Sequence, residues 1–96
     1  MRIQILDEAE EDLLRGFRFY EKQRSGLGDY FLDSLYSDID SLYLFAGIHP
    51  WYFGYQRLLA QRFPFAIYYR IDEEIVRIRA VLDCRQDPKK IEDRLR

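Results

Sequence analysis

Cysteine and histidine are nearly missing from this chain. Cys84 and His49 are the only ones, so no internal disulfide can form and the two cannot make a tetrahedral zinc site between them. No metal and no cofactor is therefore expected. Long apolar runs are missing as well: none approaches the roughly 20 residues that span a bilayer, and no membrane association is expected. The opening MRIQILDEAEEDL turns acidic where a signal peptide would carry an apolar core and a cleavage site. With a solitary thiol, these absences point to a reducing cytoplasm. Repeats, low-complexity tracts and linker-like stretches are absent too, and 96 residues suit one domain, 1–96.

What is present is globular in character, with 48% apolar and 33% charged residues. Eight Tyr, seven Phe and one Trp are a heavy aromatic load for so small a body. The net charge of −2 hides an asymmetry. Residues 1–48 carry ten acids against five bases, and residues 49–96 carry seven acids against ten bases. The second half is therefore the one suited to an anionic partner, although the chain lacks the strongly basic profile of a general nucleic-acid binder.

Local patterns divide the chain into elements. Arg2 to Leu6 alternates and reads as a strand, with Asp7 expected as the N-cap of the helix that follows and acids at 8, 10, 11 and 12 favouring its positive end. Ala9, Leu13, Phe17 and Tyr20 form that helix's apolar stripe, and SGLG at 25–28 ends it. A second helix is expected from about Leu27 to Phe45, with Phe31, Leu35, Ile39, Leu42 and Phe45 inward and Gly47 and Pro50 stopping it. GIHPWYFGY is a connector, and YQRLLAQ at 55–61 is a strand. RFPFAIYYRI and IVRIRAVLD are two more, joined at DEE. That turn lacks glycine, so a type I-based loop is expected rather than a tight primed turn. QDPKKIEDRLR has Pro88 in a first helical turn and reads as a short, charged, frayed helix. The order β-α-α-β-β-β-(α) predicts an α+β fold, a small twisted, mostly antiparallel sheet backed by an N-terminal α-helical hairpin.

Period-two alternation assigns faces. Phe65, Ile67, Tyr69 and Ile71 of one strand, and Val76, Ile78, Ala80 and Leu82 of the next, are expected beneath the helices. The opposite face takes Ala66, Tyr68 and Arg70, then Ile75, Arg77, Arg79, Val81 and Asp83, with little to bury them. Arg57 and Arg62 lie on the preceding strand and its turn.

Three stretches at matching spacing, AEEDLLRGFRFYEKQRSGLGDYFLDSL, RLLAQRFPFAIYYRI and VRIRAVLDCRQDP, resemble the RelE/ParE toxin superfamily of bacterial type II toxin–antitoxin modules, often labelled plasmid stabilisation proteins. The resemblance covers nearly the whole chain, including Arg62-Phe63-Pro64 and Arg85-x-Asp87-Pro88. It implies a growth-inhibiting toxin neutralised by a cognate antitoxin whose C-terminal segment wraps it. It also implies one of two targets, DNA gyrase for the ParE branch or ribosome-bound mRNA for the RelE branch, which cleaves it as an endoribonuclease. RelE-like sites carry a C-terminal Tyr or His, and nothing after Tyr69 is either; Asp83 stands where many relatives have histidine. Target poisoning of the gyrase kind is therefore the preferred reading. RNA cleavage, and a degenerate, non-toxic antitoxin-binding protein, are the alternatives.

Arg57, Arg62, Arg70, Arg77, Arg79 and Arg85 are the candidate anion- or target-binding residues, with Arg77 and Arg79 foremost because two positions on one strand share a face. A nuclease would draw its chemistry from Arg62, Arg79, Asp83 and Arg85, with Tyr68 as another possible base. Leu32, Tyr36 and Tyr43 form a second stripe on the second helix that an antitoxin, or the second copy in a homodimer, could cover. The aromatics from Tyr43 to Tyr55 are expected to plug the core, His49 to be a loop hydrogen-bonder, and Cys84 to be passive.

Overall fold

Alternating apolar and aromatic side chains over residues 65–83 produce the two longest strands, β4 (Phe65–Asp72) and β5 (Ile75–Asp83). The computed structural model describes residues 1–96 and adds β1 (Arg2–Ile5), α1 (Asp7–Gln23), α2 (Leu27–Asp40), α3 (Leu42–Phe45), β2 (Trp51–Tyr52), β3 (Tyr55–Leu59) and α4 (Pro88–Leu95). The strands form one sheet in the order β1-β5-β4-β3-β2, in which β1 runs parallel to β5 and all other pairs are antiparallel. The α+β architecture read from the sequence is the one observed.

The turn between β4 and β5 departs from expectation. Asp72 pairs directly with Ile75, and Glu73 and Glu74 both take positive φ, 51° and 67°. A two-residue primed turn forms without glycine because its twist matches that of the strands it joins. Placing two L-residues there costs about 1–2 kcal/mol each, which the eight strand pairings flanking the turn offset.

On one face of the sheet lie α1 and α2. Ala9, Leu13 and Tyr20 of α1 and Phe31, Leu35 and Ile39 of α2 are buried against Phe65, Ile67, Tyr69, Val76 and Ile78. The helices approach closely at Gly16, where a Cβ would stand 2.5 Å from the Phe31 ring. Glu21 joins them by accepting hydrogen bonds from the Gly26 and Gly28 amides, which orphan at the start of α2. Two helix boundaries differ from the expected ones. Leu6, not Asp7, is the N-cap of α1, and Asp7 instead adds its charge to the first helical turn. The second helix stops at Ser41, whose hydroxyl donates to the Asp38 carbonyl at 2.6 Å and competes with helix propagation, leaving α3 as a separate turn.

The opposite face is not bare. Arg79 is an extra residue in β5: Tyr69 pairs with Ile78 and Tyr68 with Ala80, so Arg79 has no partner across the ladder. Such a bulge reverses the alternation beyond it. Val81 therefore packs on the helix side, and Ala80 and Leu82 turn outward, the reverse of the expected assignment. There they meet α4. Ile91 and Leu95 are buried on Ala66, Tyr68, Ala80 and Leu82, so the C-terminal helix is a packed element with Asp87 accepting from the Lys89 amide at its N-cap, not a frayed tail.

Asp12 fixes this arrangement. Its carboxylate, 2% exposed, accepts two bonds of 2.9 Å from the Arg94 guanidinium of α4, one of 3.2 Å from Arg15, and one of 3.0 Å from the Val81 amide beyond the bulge.

The connector after α3 is pinned by Tyr69, whose hydroxyl accepts from the Gly47 amide at 3.0 Å and lies 2.5 Å from Nδ1 of His49. The Gln56 side chain donates to the His49 carbonyl. The connector continues into a strand that the sequence reading missed, β2, which pairs with β3 through a turn in which Phe53 and Gly54 have φ of 51° and 85°. β3 ends at Leu59 rather than residue 61. No helix is long and apolar enough to cross a membrane.

Replacing Asp12 with Ala leaves Arg94 and the Val81 amide without their acceptor, and we expect a loss of about 2–4 kcal/mol in urea unfolding. For a domain of this size that corresponds to roughly 10–20 °C in Tm. Asp12→Asn, which keeps an acceptor but removes the charge, should lose less; a loss equal to that of Ala would mean that the charge carries the whole contact. Burial of His49 pushes its imidazole below the ordinary value, so the folded state favours the neutral ring. Its contribution to stability is complete above the unfolded value of about 6.5 and falls away as pH drops below it. Between pH 7 and 5 wild-type Tm should fall further than that of His49→Asn; parallel curves would refute the assignment.

Candidate functional site

Three of the six candidate arginines converge where β4 and β5 run beside the first helix. Arg70, Arg77 and Arg79 line an open cavity of about 340 Å³ together with Tyr55, Ile71 and Asp72. Arg70 and Arg77 are directly paired across the ladder, and the bulge re-aims Arg79 beside them. Each guanidinium is held. Arg70 donates to the Gly54 carbonyl at 2.8 Å and stacks with its Cζ 4.0 Å from the Tyr55 ring centroid. Arg77 donates to the Gln4 side chain and stands 3.5 Å from the Asp72 carboxylate. Arg79 donates to Glu8 at 2.5 Å and to the Arg94 carbonyl at 2.7 Å, and the first of these bonds, reinforced by its charge, holds the Glu8 carboxyl below the usual range. Neutralisation is incomplete: three cations meet Asp72 and Glu8, both largely exposed to water.

The remaining three lie elsewhere. Arg57 stacks 3.8 Å over Tyr52, and its buried Nε has no partner. Arg62 is exposed on the β3–β4 turn, on the side of Asp38, which accepts from the neighbouring Gln61 amide. Arg85 embraces Asp83 through its amide, Nε and Nη2 at 2.7–3.0 Å, which holds the Asp83 carboxyl below its ordinary range. That pair lines a different cavity, of about 500 Å³, with Phe19, Phe65 and the Asp12–Arg94 contact. Asp83 reaches this side because the bulge turned it there with Val81.

The candidate bases read from the sequence are thus kept from the three-arginine cavity, and the carboxylates at its margin, Asp72 and Glu8, are paired with Arg77 and Arg79. Tyr68 is buried beneath α4, and burial pushes its phenol up. His49 faces Tyr69 on the helix side, and Asp83 is tied to Arg85. Burial also pushes the Cys84 thiol up, away from thiolate reactivity. No three His, Cys, Asp or Glu side chains converge as a metal site requires. What the cavity can do is bind an anion. Tyr55, Leu6, Ile71 and Asp72 were not anticipated there: Tyr55 comes from the neighbouring strand β3, and Ile71, expected beneath the helices, is 39% exposed.

Leu32 is half-buried against the core, whereas Tyr36 and Tyr43 are exposed. The aromatics after them overturn the expected core plug. Phe45, Trp51, Tyr52 and Phe53 are all exposed, because Tyr20, Phe31, Phe63 and Phe65 already fill the space beneath the sheet with centroids 4.8–6.3 Å apart.

No family model and no curated protein matches the sequence. Among solved structures, a chain described as "Chromosomal ParDE TA system from P. aeruginosa" is similar to this one with a TM-score of 0.74, over 84% of this chain and 92% of that one, at 18% identity. At that identity the likeness is one of fold, and the five-stranded sheet with its helical hairpin is the fold shared with that chain.

Proposed function

We propose that this protein is the toxin component of a bacterial type II toxin–antitoxin pair, neutralised by a cognate antitoxin, and that it acts by binding and inhibiting a target such as DNA gyrase. The fold similarity to a chain of a ParDE system supports the toxin–antitoxin part. The observation that supports the mechanism is the cavity of Arg70, Arg77 and Arg79, which gathers positive charge apart from the candidate bases Asp83, Tyr68 and His49, while the carboxylates at its margin, Asp72 and Glu8, are engaged by Arg77 and Arg79. Cleavage by a RelE-like route would need a free base within hydrogen-bond reach of the bound phosphate, and Asp83, Tyr68 and His49 all lie away from the guanidiniums of Arg70, Arg77 and Arg79. A binding surface needs only the charge, which steers and orients an anionic partner.

A second reading, the non-toxic antitoxin binder, is favoured by one feature: Arg77, Arg79 and Arg85 each already contact an acid of the same chain.

Induced expression in a bacterial host separates these readings. Growth arrest with double-strand DNA breaks and intact messenger is expected, with rescue by co-expression of a cognate antitoxin. Messenger cut at the ribosome would replace this mechanism with RNA cleavage, and normal growth from well-folded product would leave only the antitoxin binder. Arg70→Glu/Arg77→Glu should restore growth to the uninduced rate with Tm lowered by only a few degrees, since exposed ion pairs contribute about 1 kcal/mol or less. Arg79 suits this test poorly, because its bonds to Glu8 and the Arg94 carbonyl join α1, β5 and α4.

A further inference from the structure

We propose that the uncharged aromatic segment from Ser41 to Gln56 is a self-association surface on which a second copy of this chain docks about a twofold axis. The inference does not depend on the toxin reading. Across these sixteen positions, SLYLFAGIHPWYFGYQ, there is no Asp, Glu, Lys or Arg, in a chain one-third charged overall. Yet the segment is a surface. Seven large apolar side chains between Tyr43 and Phe53 are exposed by 38–82%, with Leu44, Ile48 and Trp51 the most open. With about 150–250 Å² per aromatic side chain, this surface offers roughly 600–800 Å². That exceeds the patches usual on monomers and matches the ~800 Å² that each partner contributes to a standard interface.

The segment is also held in place rather than loosely displayed. Gly47 and His49 are bound to the Tyr69 hydroxyl, Gln56 to the His49 carbonyl, and the Arg57 amide to the Pro50 carbonyl. Arg57 and Arg70 stack on Tyr52 and Tyr55. At the tip Phe53 sits at φ 51°, a conformation that favours glycine or asparagine, and its ring is 45% exposed. An aromatic at a position of backbone strain that is left nearly half exposed by its own chain is accounted for by further burial against another.

Charge identifies the occupant. In a twofold interface each residue near the axis faces its own copy, so a charged residue there would meet its like. A neutral centre satisfies that constraint, whereas a partner of opposite charge would be recognised by charges that this segment lacks. The flanks fit the same geometry. Asp33, Tyr36 and Asp40 recur at helical spacing on α2 on one side, and Arg57 follows on the other, so antiparallel apposition sets acids of one copy against a base of the other. β2 is also the sheet's outer edge, with no charged side chain to deter pairing.

Sedimentation equilibrium of the full chain should give twice the mass of one chain, dissociating to monomer on dilution. Leu44→Glu and Trp51→Glu should each raise the dimer dissociation constant at least about tenfold, with the far-UV circular dichroism of the wild type. Leu14→Glu, at a 47%-exposed apolar position on α1, should leave it unchanged. Should Trp51→Glu disturb the hairpin, Leu44→Glu carries the test alone, its side chain being 82% exposed. A wild type that is monomeric throughout, or a dimer that survives Leu44→Glu, would overturn the proposal, as would a monomer whose aromatic segment binds only another protein.

Discussion

The buried carboxylate of Asp12 is the junction on which both faces of the sheet depend. One oxygen pair serves three elements: Arg15 on its own helix, the Val81 amide in the sheet, and Arg94 on the C-terminal helix. Burying a carboxylate is unfavourable unless every lone pair finds a donor, and here charged and backbone donors supply them. The Val81 amide lies two residues past the unpaired Arg79. The same carboxylate therefore completes the strand where the bulge turns its alternation and anchors the helix that covers the residues turned outward. Without the bulge, Ala80 and Leu82 would enter the helix-side core, and Ile91 and Leu95 would lose their floor.

This dependence explains which parts of the fold were legible in the sequence. The apolar stripes of α1 and α2 and the strands around them follow from spacing alone, because residues three and four apart on a helix, or two apart on a strand, must share a face. Alternation served as far as Ile78 and then failed, since inserting one residue into a ladder leaves no mark in the local pattern. The acceptor that satisfies the strand beyond it, Asp12, sits some 70 residues away, in a run of acids that reads simply as the favourable start of a helix. The C-terminal helix was misjudged for the same reason: its two apolar residues look too few to pack until the bulge supplies an apolar floor.

The arginine face was legible in part. Arg70 and Arg77 stand where period two placed them. Arg79 joins them, but its side chain is engaged on two sides and is as much a structural tie as an anion ligand. Arg85 and Asp83, which sequence proximity put with the others, were carried by the reversed alternation to the helix side. Arg62 follows Gln61, whose amide the half-buried region around Asp38 captures. Linear order thus overstated the number of guanidiniums that one ligand could meet, and a cluster of three is what the sheet assembles.

Arg70 ties this cluster to the aromatic end of the molecule. Its guanidinium lies in the three-arginine cavity, while its Nε bonds the Gly54 carbonyl at the tip of the β2–β3 hairpin and its plane lies over Tyr55. An anion in that cavity would meet the remaining N–H groups of the same fixed fork, whose Nε is already given to the Gly54 carbonyl. Gly54 at φ 85° and Phe53 at φ 51° form the turn so restrained. Occupation of the arginine cavity and the set of the exposed aromatic hairpin therefore share one side chain, so whatever engages the charged face acts on the support of the neutral one. That coupling needs no movement of the core, since Arg70 and the hairpin both lie outside it.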